Sequence, residues 1–313
     1  MPHDRESTLS VLVRTLPYVR LFRGKTFVVK LGGSTTRDSA AVRAVVEQLG
    51  ILVSFGIRVV VVHGGGPQAT ALAERLGVES RFVDGRRVTS PAMLNAVILA
   101  IRGKVNTEIL AECRRAHLPA LGLSGVDAAI LRAEVRPPVV RQDGGESATV
   151  DYGEVGDLTS VDRDALERLL AAGFTPVLAP LAADDGGRVL NVNADTVASA
   201  VAVALGAEKL VFLTDTPGIL ENAKDPCSLV SYVDLPGLAA LETRGALRGG
   251  MLPKVNAARA ALAGGVPRVH VVGHASPGSL LAEVFTNEGA GTLIVQDRAE
   301  ILPAELAQGT APA

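Results

Sequence analysis

Cysteine is scarce: the 313 residues contain two, Cys113 and Cys227. They lie far apart, form no CxxC and have no histidine at metal-ligand spacing. This argues against a zinc site and a disulfide framework, and it reads as a reducing, cytoplasmic compartment. Net charge is missing too. Lys plus Arg number 31 against 33 Asp plus Glu, a formal −2, so no overall field attracts nucleic acid or anionic lipid, and neither is expected as a partner. No apolar run reaches the ~18 residues that a spanning helix needs. The charged start MPHDRESTLS leads into no apolar signal core. What is present is apolar content, 48% of residues, and 33 glycines spread along the chain, which describes a folded protein with a sizeable core, one large domain or two lobes.

Hydrophobic spacing organises the chain. Leu9, Leu12, Val13 and Leu16 fall at helical intervals ahead of Pro17, an amphipathic helix before the first strand. From Gly24 onward, short β-rich runs alternate with amphipathic stretches. Strands are expected over 26–31, 57–63, 120–123, 175–181, 209–213, 268–272 and 292–295. Helices are expected over 39–53, 69–76, 163–172, 194–205, 253–263 and 278–285. Ser90 and Pro91 supply an N-cap and first-turn pair for a helix towards Arg102 that resumes from Asn106 to Arg115. The stretch 135–157, rich in Pro, Gly and charge, reads as hairpins or a lid. Alternating strands and helices mean an α/β fold whose mostly parallel sheet is covered on both faces.

Three glycine turns follow strands or open helices: Gly32-Gly33, Gly64-Gly65-Gly66 and Gly249-Gly250. Such turns let backbone N–H groups converge on an anion, and a helix N-terminus adds favourable dipole. Any one of them alone is better explained as a tight turn. Three together, with Lys30 before the first and Lys254 after the third, favour an anion site. A lysine inside an apolar strand is costly without an anion. Gly24-Lys25-Thr26 is no P-loop, because Val19 stands at the first glycine position and a strand follows rather than precedes. No turn spells the dinucleotide fingerprint GxGxxG. Asn191, Asn193 and Asp195 lie at i, i+2 and i+4 where a helix begins, and a capping role accounts for one of the three. His63 reads as structural, since it ends a buried strand.

Taken in order, Val28-Val29-Lys30-Leu31-Gly32-Gly33, Val61-Val62-His63-Gly64-Gly65-Gly66-Pro67-Gln68, Asp84-Gly85-Arg86-Arg87-Val88-Thr89, Gly103-Lys104-Val105-Asn106, Leu190-Asn191-Val192-Asn193-Ala194-Asp195, Leu213-Thr214-Asp215-Thr216-Pro217-Gly218 and Gly249-Gly250-Met251-Leu252-Pro253-Lys254 resemble the amino acid kinase family, in the branch that phosphorylates N-acetylglutamate. The likeness runs from about Pro17 to Val295. It implies a three-layer αβα sandwich divided into a helical extension (1–24), a lobe for the acylated amino acid (25–200) and a nucleotide lobe (201–313). It also implies transfer of the γ-phosphoryl of ATP, with Mg²⁺, to a side-chain carboxylate.

By resemblance, Lys30 and Lys254 balance charge on the transferring group and Asp195 holds both. Gly32 and Gly33 cradle phosphate. Gly65, Gly66, Arg87 and Asn191 bind the acylated amino acid, and Thr214, Asp215 and Gly218 lie by the nucleotide. A carboxylate is already ionised at pH 7, so the lack of a candidate catalytic histidine is expected, and Mg²⁺ arrives with ATP rather than in a histidine cluster. The N-terminal helix resembles that of the arginine-inhibited, hexameric branch, which implies a homo-oligomer, dimer or hexamer, with Tyr18, Lys209, His270, Glu288 and Gly291 holding arginine.

Two departures bear on acyl-group choice. Val126 and Ala128 stand where the family reads Lys and Gly, and Arg141 to Glu146 look inserted. The alternatives are a sister kinase of N-succinylglutamate or a carrier-linked aminoadipate, and a non-catalytic arginine sensor. The sensor is disfavoured by Lys30, Lys254 and Asp195, and by a chain ending at Ala313 with no expected acetyltransferase domain.

Overall fold

Strands rich in Val, Ile and Leu with no polar alternation must be covered on both sides, and the computed structural model, which describes residues 15–83, 85–143, 146–225, 227–286 and 289–297, shows how. Eight strands form one sheet in the order Tyr232–Asp234, Gly291–Val295, Arg268–Gly273, Lys209–Thr214, Thr26–Leu31, Arg58–His63, Thr175–Ala179 and Ala120–Ser124. All neighbours run parallel except Arg268–Gly273 against Gly291–Val295.

Because successive side chains face opposite sides, each strand feeds two cores. Val28, Val62, Leu178 and Phe212 pack under helices Arg163–Ala171, Ala194–Ala204, Leu235–Thr243 and Met251–Ala263. Val29, Leu31, Val61 and Val211 pack under Ser39–Ser54, Asn106–Arg115 and Ser279–Phe285. The mostly parallel α/β sandwich expected from the sequence is therefore the fold. A smaller sheet of Val189–Asn191, Leu181–Ala183, Leu131–Val135 and Gly156–Val161 stands beside it. Within 135–157, Val139–Asp143 and Glu146–Val150 pair as a hairpin.

Several boundaries differ from the sequence expectation. Residues 15–22 are helical through Pro17; Leu9, Leu12 and Val13 lie outside the described residues. Proline forfeits one backbone bond, whereas Phe22 is buried, stacks on Tyr18 and meets Phe27 edge-on, which anchors the helix beyond it. The expected break before Asn106 is absent. Pro91–Val97, a π-helical stretch Ile98–Val105 and Asn106–Arg115 form one run, in which the Asn106 N–H donates to Ile101 O, five residues back. The wider turn brings Val105 and Asn106 to the buried side. The run 175–181 divides at Pro180, which carries no N–H for a ladder, into strands of the two sheets. Tyr232–Asp234 and Leu235–Thr243 have no counterpart in the expected elements.

Candidate active site

In open parallel sheets ligands bind beyond the carboxyl ends of the strands, and here those ends carry Lys30, His63, Ser124 and Thr214. Lys30 has the parity of Val28 and Val62, so it faces the helices Ala194–Ala204 and Met251–Ala263. It is 5% exposed, as is Asp195. Its Nζ lies 2.7 Å from Asp195 Oδ1, while Lys254 Nζ approaches Asp195 Oδ2 at 3.7 Å and donates to Gly250 O at 3.1 Å. Asn193 caps the helix, its Oδ1 accepting from the N–H groups of Asp195 (2.9 Å) and Thr196 (3.0 Å). The Asp195 carboxylate is thereby left to the lysines.

Two ammonium groups converge on the Asp195 carboxylate, with the Asp215 charge acting on Lys254, so cationic groups are concentrated in a largely buried place that suits a further anion. The strain registers at Lys254, whose pKa is lowered by burial first and by the Lys30 charge second, against the opposing pull of Asp195 and Asp215.

Two hollows meet here. A cleft of about 1120 Å³ is lined by Lys30, Asp195, Gly65, Gly66, Arg87 and Asn191. A smaller one of about 310 Å³ is lined by Thr214, Asp215, Gly218, Arg248 and Lys254, and Gly250 borders both. Arg87 is held at the cleft wall, donating to Gly66 O (3.0 Å), Thr70 Oγ1 (2.7 Å) and Ser80 Oγ (3.2 Å), with its guanidinium 4.5 Å from the Phe82 ring centre. Burial lowers its pKa, and guanidinium stays a cation regardless. Asn191 Nδ2 donates to Thr89 Oγ1 at 3.2 Å.

Gly32 and Gly33 line neither hollow. The Gly32 N–H donates to Leu213 O at 3.2 Å. A Cβ at Gly33 would fall 2.8 Å from Pro67 Cδ, so this glycine lets the first two glycine turns touch.

The residues suggested for arginine gather on the opposite face of the sheet. Lys209 Nζ lies 3.0 Å from His270 Nε2, and His270 Nδ1 lies 2.6 Å from Glu283 Oε1. Lys209 Nζ is 5.1 Å from the centre of the Phe22 ring, which Tyr18 stacks upon. Gly291 N–H donates to Glu283 Oε2 at 2.9 Å. Glu288 lies outside the described residues.

Glu283 is the member that the sequence reading missed. A carboxylate inside Leu280-Leu281-Ala282-Glu283-Val284-Phe285 was the available signal. Burial opposes its ionisation, yet the hydrogen bond and charge of His270, the Ala290 N–H and Lys209 together hold its pKa below the ordinary value.

Comparison with known proteins agrees with this architecture. The acetylglutamate kinase of Myxococcus xanthus is 50% identical over 293 residues, 93% of this chain and 95% of that one. The acetylglutamate kinase of Symbiobacterium thermophilum is 43% identical over 92% of this chain and 97% of its own. Among solved structures, N-acetylglutamate synthase from Neisseria gonorrhoeae, complexed with coenzyme A and N-acetyl-glutamate, superposes with a TM-score of 0.79 at 29% identity and 92% coverage of this chain. This chain spans 63% of that synthase. An isopentenyl phosphate kinase shares the fold, with a TM-score of 0.60 at 18% identity over 86% of this chain and all of its own. Among the described residues no helix is long and apolar enough to cross a membrane. Residues 25–273 match the amino acid kinase family, and the chain belongs to that family.

Proposed function

We propose that this chain transfers the γ-phosphoryl group of ATP to the side-chain carboxylate of N-acetyl-L-glutamate. The observation that carries the reading is the Lys30–Asp195–Lys254 cluster where the two hollows meet, in a chain with relatives at 40–50% identity that are named acetylglutamate kinase. The amino acid would occupy the large cleft, with Arg87 and Asn191 at its ends and the N–H groups of Gly65 and Gly66 on its anions. The nucleotide would lie along Thr214, Asp215 and Gly218. An oxygen of the ionised carboxylate attacks the γ-phosphorus, a new P–O bond forms, and the bond to the β–γ bridging oxygen breaks to leave ADP. No proton need move. The lysines act by neutralising charge on the transferring group, and Asp195 acts by aiming them.

Among the described residues no group of three or more His, Cys, Asp or Glu could hold a metal. Magnesium would come with the nucleotide phosphates, and no step of the transfer is assigned to it.

Hydroxylamine trapping of the acyl phosphate tests the reading, with ATP and, in turn, N-acetylglutamate, N-succinylglutamate, aspartate and carbamate. N-acetylglutamate is expected to give the highest kcat/KM. A higher value with N-succinylglutamate would replace the substrate, and no trapped product with any acylated acid would favour the arginine sensor.

Lys209, His270, Glu283 and Gly291, with Tyr18 nearby, are proposed as an inhibitory arginine site. A carboxylate and backbone groups suit a guanidinium and an α-ammonium, and Lys209 suits an α-carboxylate. The gonococcal synthase is also described in complex with L-arginine. The helix over 15–22 leaves Leu16 and Leu21 about half exposed (48% and 53%), which fits a homo-oligomer of interlaced dimers.

A further inference from the structure

His63 has no part in the reading above, yet it is tightly held beneath the cleft. It ends the strand Arg58–His63 with the parity of Val59 and Val61, facing away from Lys30, and is fully buried. Nδ1 lies 2.9 Å from Gly64 O, and Nε2 lies 2.9 Å from Asn106 Nδ2. The position of the ring proton follows from the neighbours. Val177 O, 2.9 Å from Asn106 Nδ2, can only accept. Arg102 Nη1, 3.1 Å from Asn106 Oδ1, can only donate. The Asn106 amide therefore turns its nitrogen to His63, Nε2 accepts from it, and the single proton of the neutral ring sits on Nδ1 and is donated to Gly64 O. Burial foremost pushes the His63 pKa down to about 4, which keeps the ring neutral.

That bond fixes more than one atom. In a trans peptide the C=O of one residue and the N–H of the next point in opposite directions. With the Gly64 carbonyl held by the buried ring, the Gly65 N–H is turned the other way, to the side where Gly64, Gly65 and Gly66 line the large cleft with Lys30. Gly65 precedes the helix Gly66–Arg75, and its N–H has no acceptor among the described residues. A Cβ at Gly65 would fall 2.8 Å from Ile101 Cγ1, so the turn is pressed against the π-helical stretch. We propose that His63 is a positioning residue for phosphoryl transfer, whose Nδ1–H fixes the Gly64–Gly65 peptide so that the Gly65 N–H meets the anion of the acylated amino acid.

This inference rests on the function proposed above. Arg102 extends the arrangement, donating from Nη2 to Gly122 O at 3.1 Å with its Nε 3.8 Å from Asp127 Oδ2, which ties the glycine turn to the loop that carries Val126 and Ala128.

Two substitutions separate the ring's two contacts. H63N places an amide nitrogen where Nδ1 was, keeping the donor to Gly64 and losing the acceptor for Asn106. H63Q reaches the Nε2 position and does the reverse. With N-acetylglutamate and ATP as substrates, H63Q is expected to lose about tenfold or more in kcat/KM for the acylated amino acid while its KM for ATP moves less than about twofold, and H63N is expected to stay within about threefold of wild type. A purely structural histidine would lower both melting temperatures without this kinetic split.

Equal losses in the two variants, or wild-type kinetics in H63Q, overturn the proposal. Should H63Q fail to fold, a folded H63N that loses more than about tenfold in kcat/KM overturns it as well. No turnover of N-acetylglutamate by the wild type would overturn the functional reading and this one with it, whereas turnover without the split removes this one alone.

Discussion

Lys30 sits amid Val28, Val29 and Leu31, where a buried ammonium demands an anion, and its partner is the buried Asp195 at 2.7 Å. The role proposed for it in phosphoryl transfer is tested by substitution. Lys30→Ala should lower kcat by about 10²–10³-fold, the loss expected on removing one preorganised stabiliser of transition-state charge, measured at saturating ATP. Asp195→Asn should spare the fold, since Asn193 and not Asp195 caps the helix, while cutting kcat by about tenfold or more. The pH profile adds a signature. Lys254 must be protonated to act, and its pKa already lies below 10.5, so activity should fall as pH rises through that lowered value. Asp195 raises that pKa, so the alkaline limb of Asp195→Asn should move to lower pH. Unchanged turnover with a lowered melting temperature would return Asp195 to a structural role.

The loop after Ala120–Ser124 shows what a substitution does to a local element. Ala128 stands where the family reads glycine, and its backbone has φ +51° and ψ +25°, the left-handed region. Ala129 follows at φ +53°. Side chains with a Cβ occupy that region at a cost of about 1–2 kcal/mol each. The loop is nevertheless held, with Ser124 Oγ donating to Asp127 Oδ2 at 2.8 Å. Ala128→Gly should raise unfolding stability by about 0.5–1 kcal/mol, the relieved strain less the added freedom of the unfolded chain, as read from urea midpoints. No gain would mean that the loop adopts another conformation in solution.

Two groups make the folded chain acid-sensitive. His63, at about 4 against 6.5, is neutral when folded, so between those pH values the unfolded chain binds more protons and stability falls as pH falls, by about 3 kcal/mol in all. Glu283, whose pKa is lowered, stabilises above its ordinary 4.5, and that contribution is lost as pH drops through its folded value. Urea midpoints from pH 7 to 4 should decline, and H63N should flatten the decline above pH 4.5. Identical slopes would exclude His63 as its source. The proposed arginine site lies on one face of the sheet and the lysine cluster on the other, joined through the strand Lys209–Thr214. On the proposal of an inhibitory arginine site, arginine would act through differential affinity for two arrangements, and the helix packed on Phe27 through Phe22 would be the element that senses them. On that proposal, deleting residues 1–20 should leave kinase activity, abolish the proposed arginine inhibition and reduce the proposed hexamer to dimers, checked by light scattering and arginine titration. A truncated enzyme that is still fully inhibited would end this regulatory reading.

The alternation of Val-rich runs with amphipathic stretches was enough to place most strands of the eight-stranded sheet within a residue or two, because burial on both faces of a parallel sheet leaves a run with no polar break. Glycine turns after strands and a lysine within one likewise pointed to an anion site, since their cost is local and visible in the chain. The pattern could not tell that Pro180 splits one apolar run between two sheets, or that helix continues through Pro17, because burial of Phe22 against Phe27 of the first strand outweighs the local preference. Nor could it tell that the Gly32 N–H, in the turn to which the resemblance gives phosphate, donates to Leu213 O in the neighbouring strand, and it passed over Glu283 and the partnership of His63 with Asn106. Those contacts join residues 13 to 181 positions apart, and hydrogen bonding across such distances is specified by which strands and helices meet, which no local window of sequence contains.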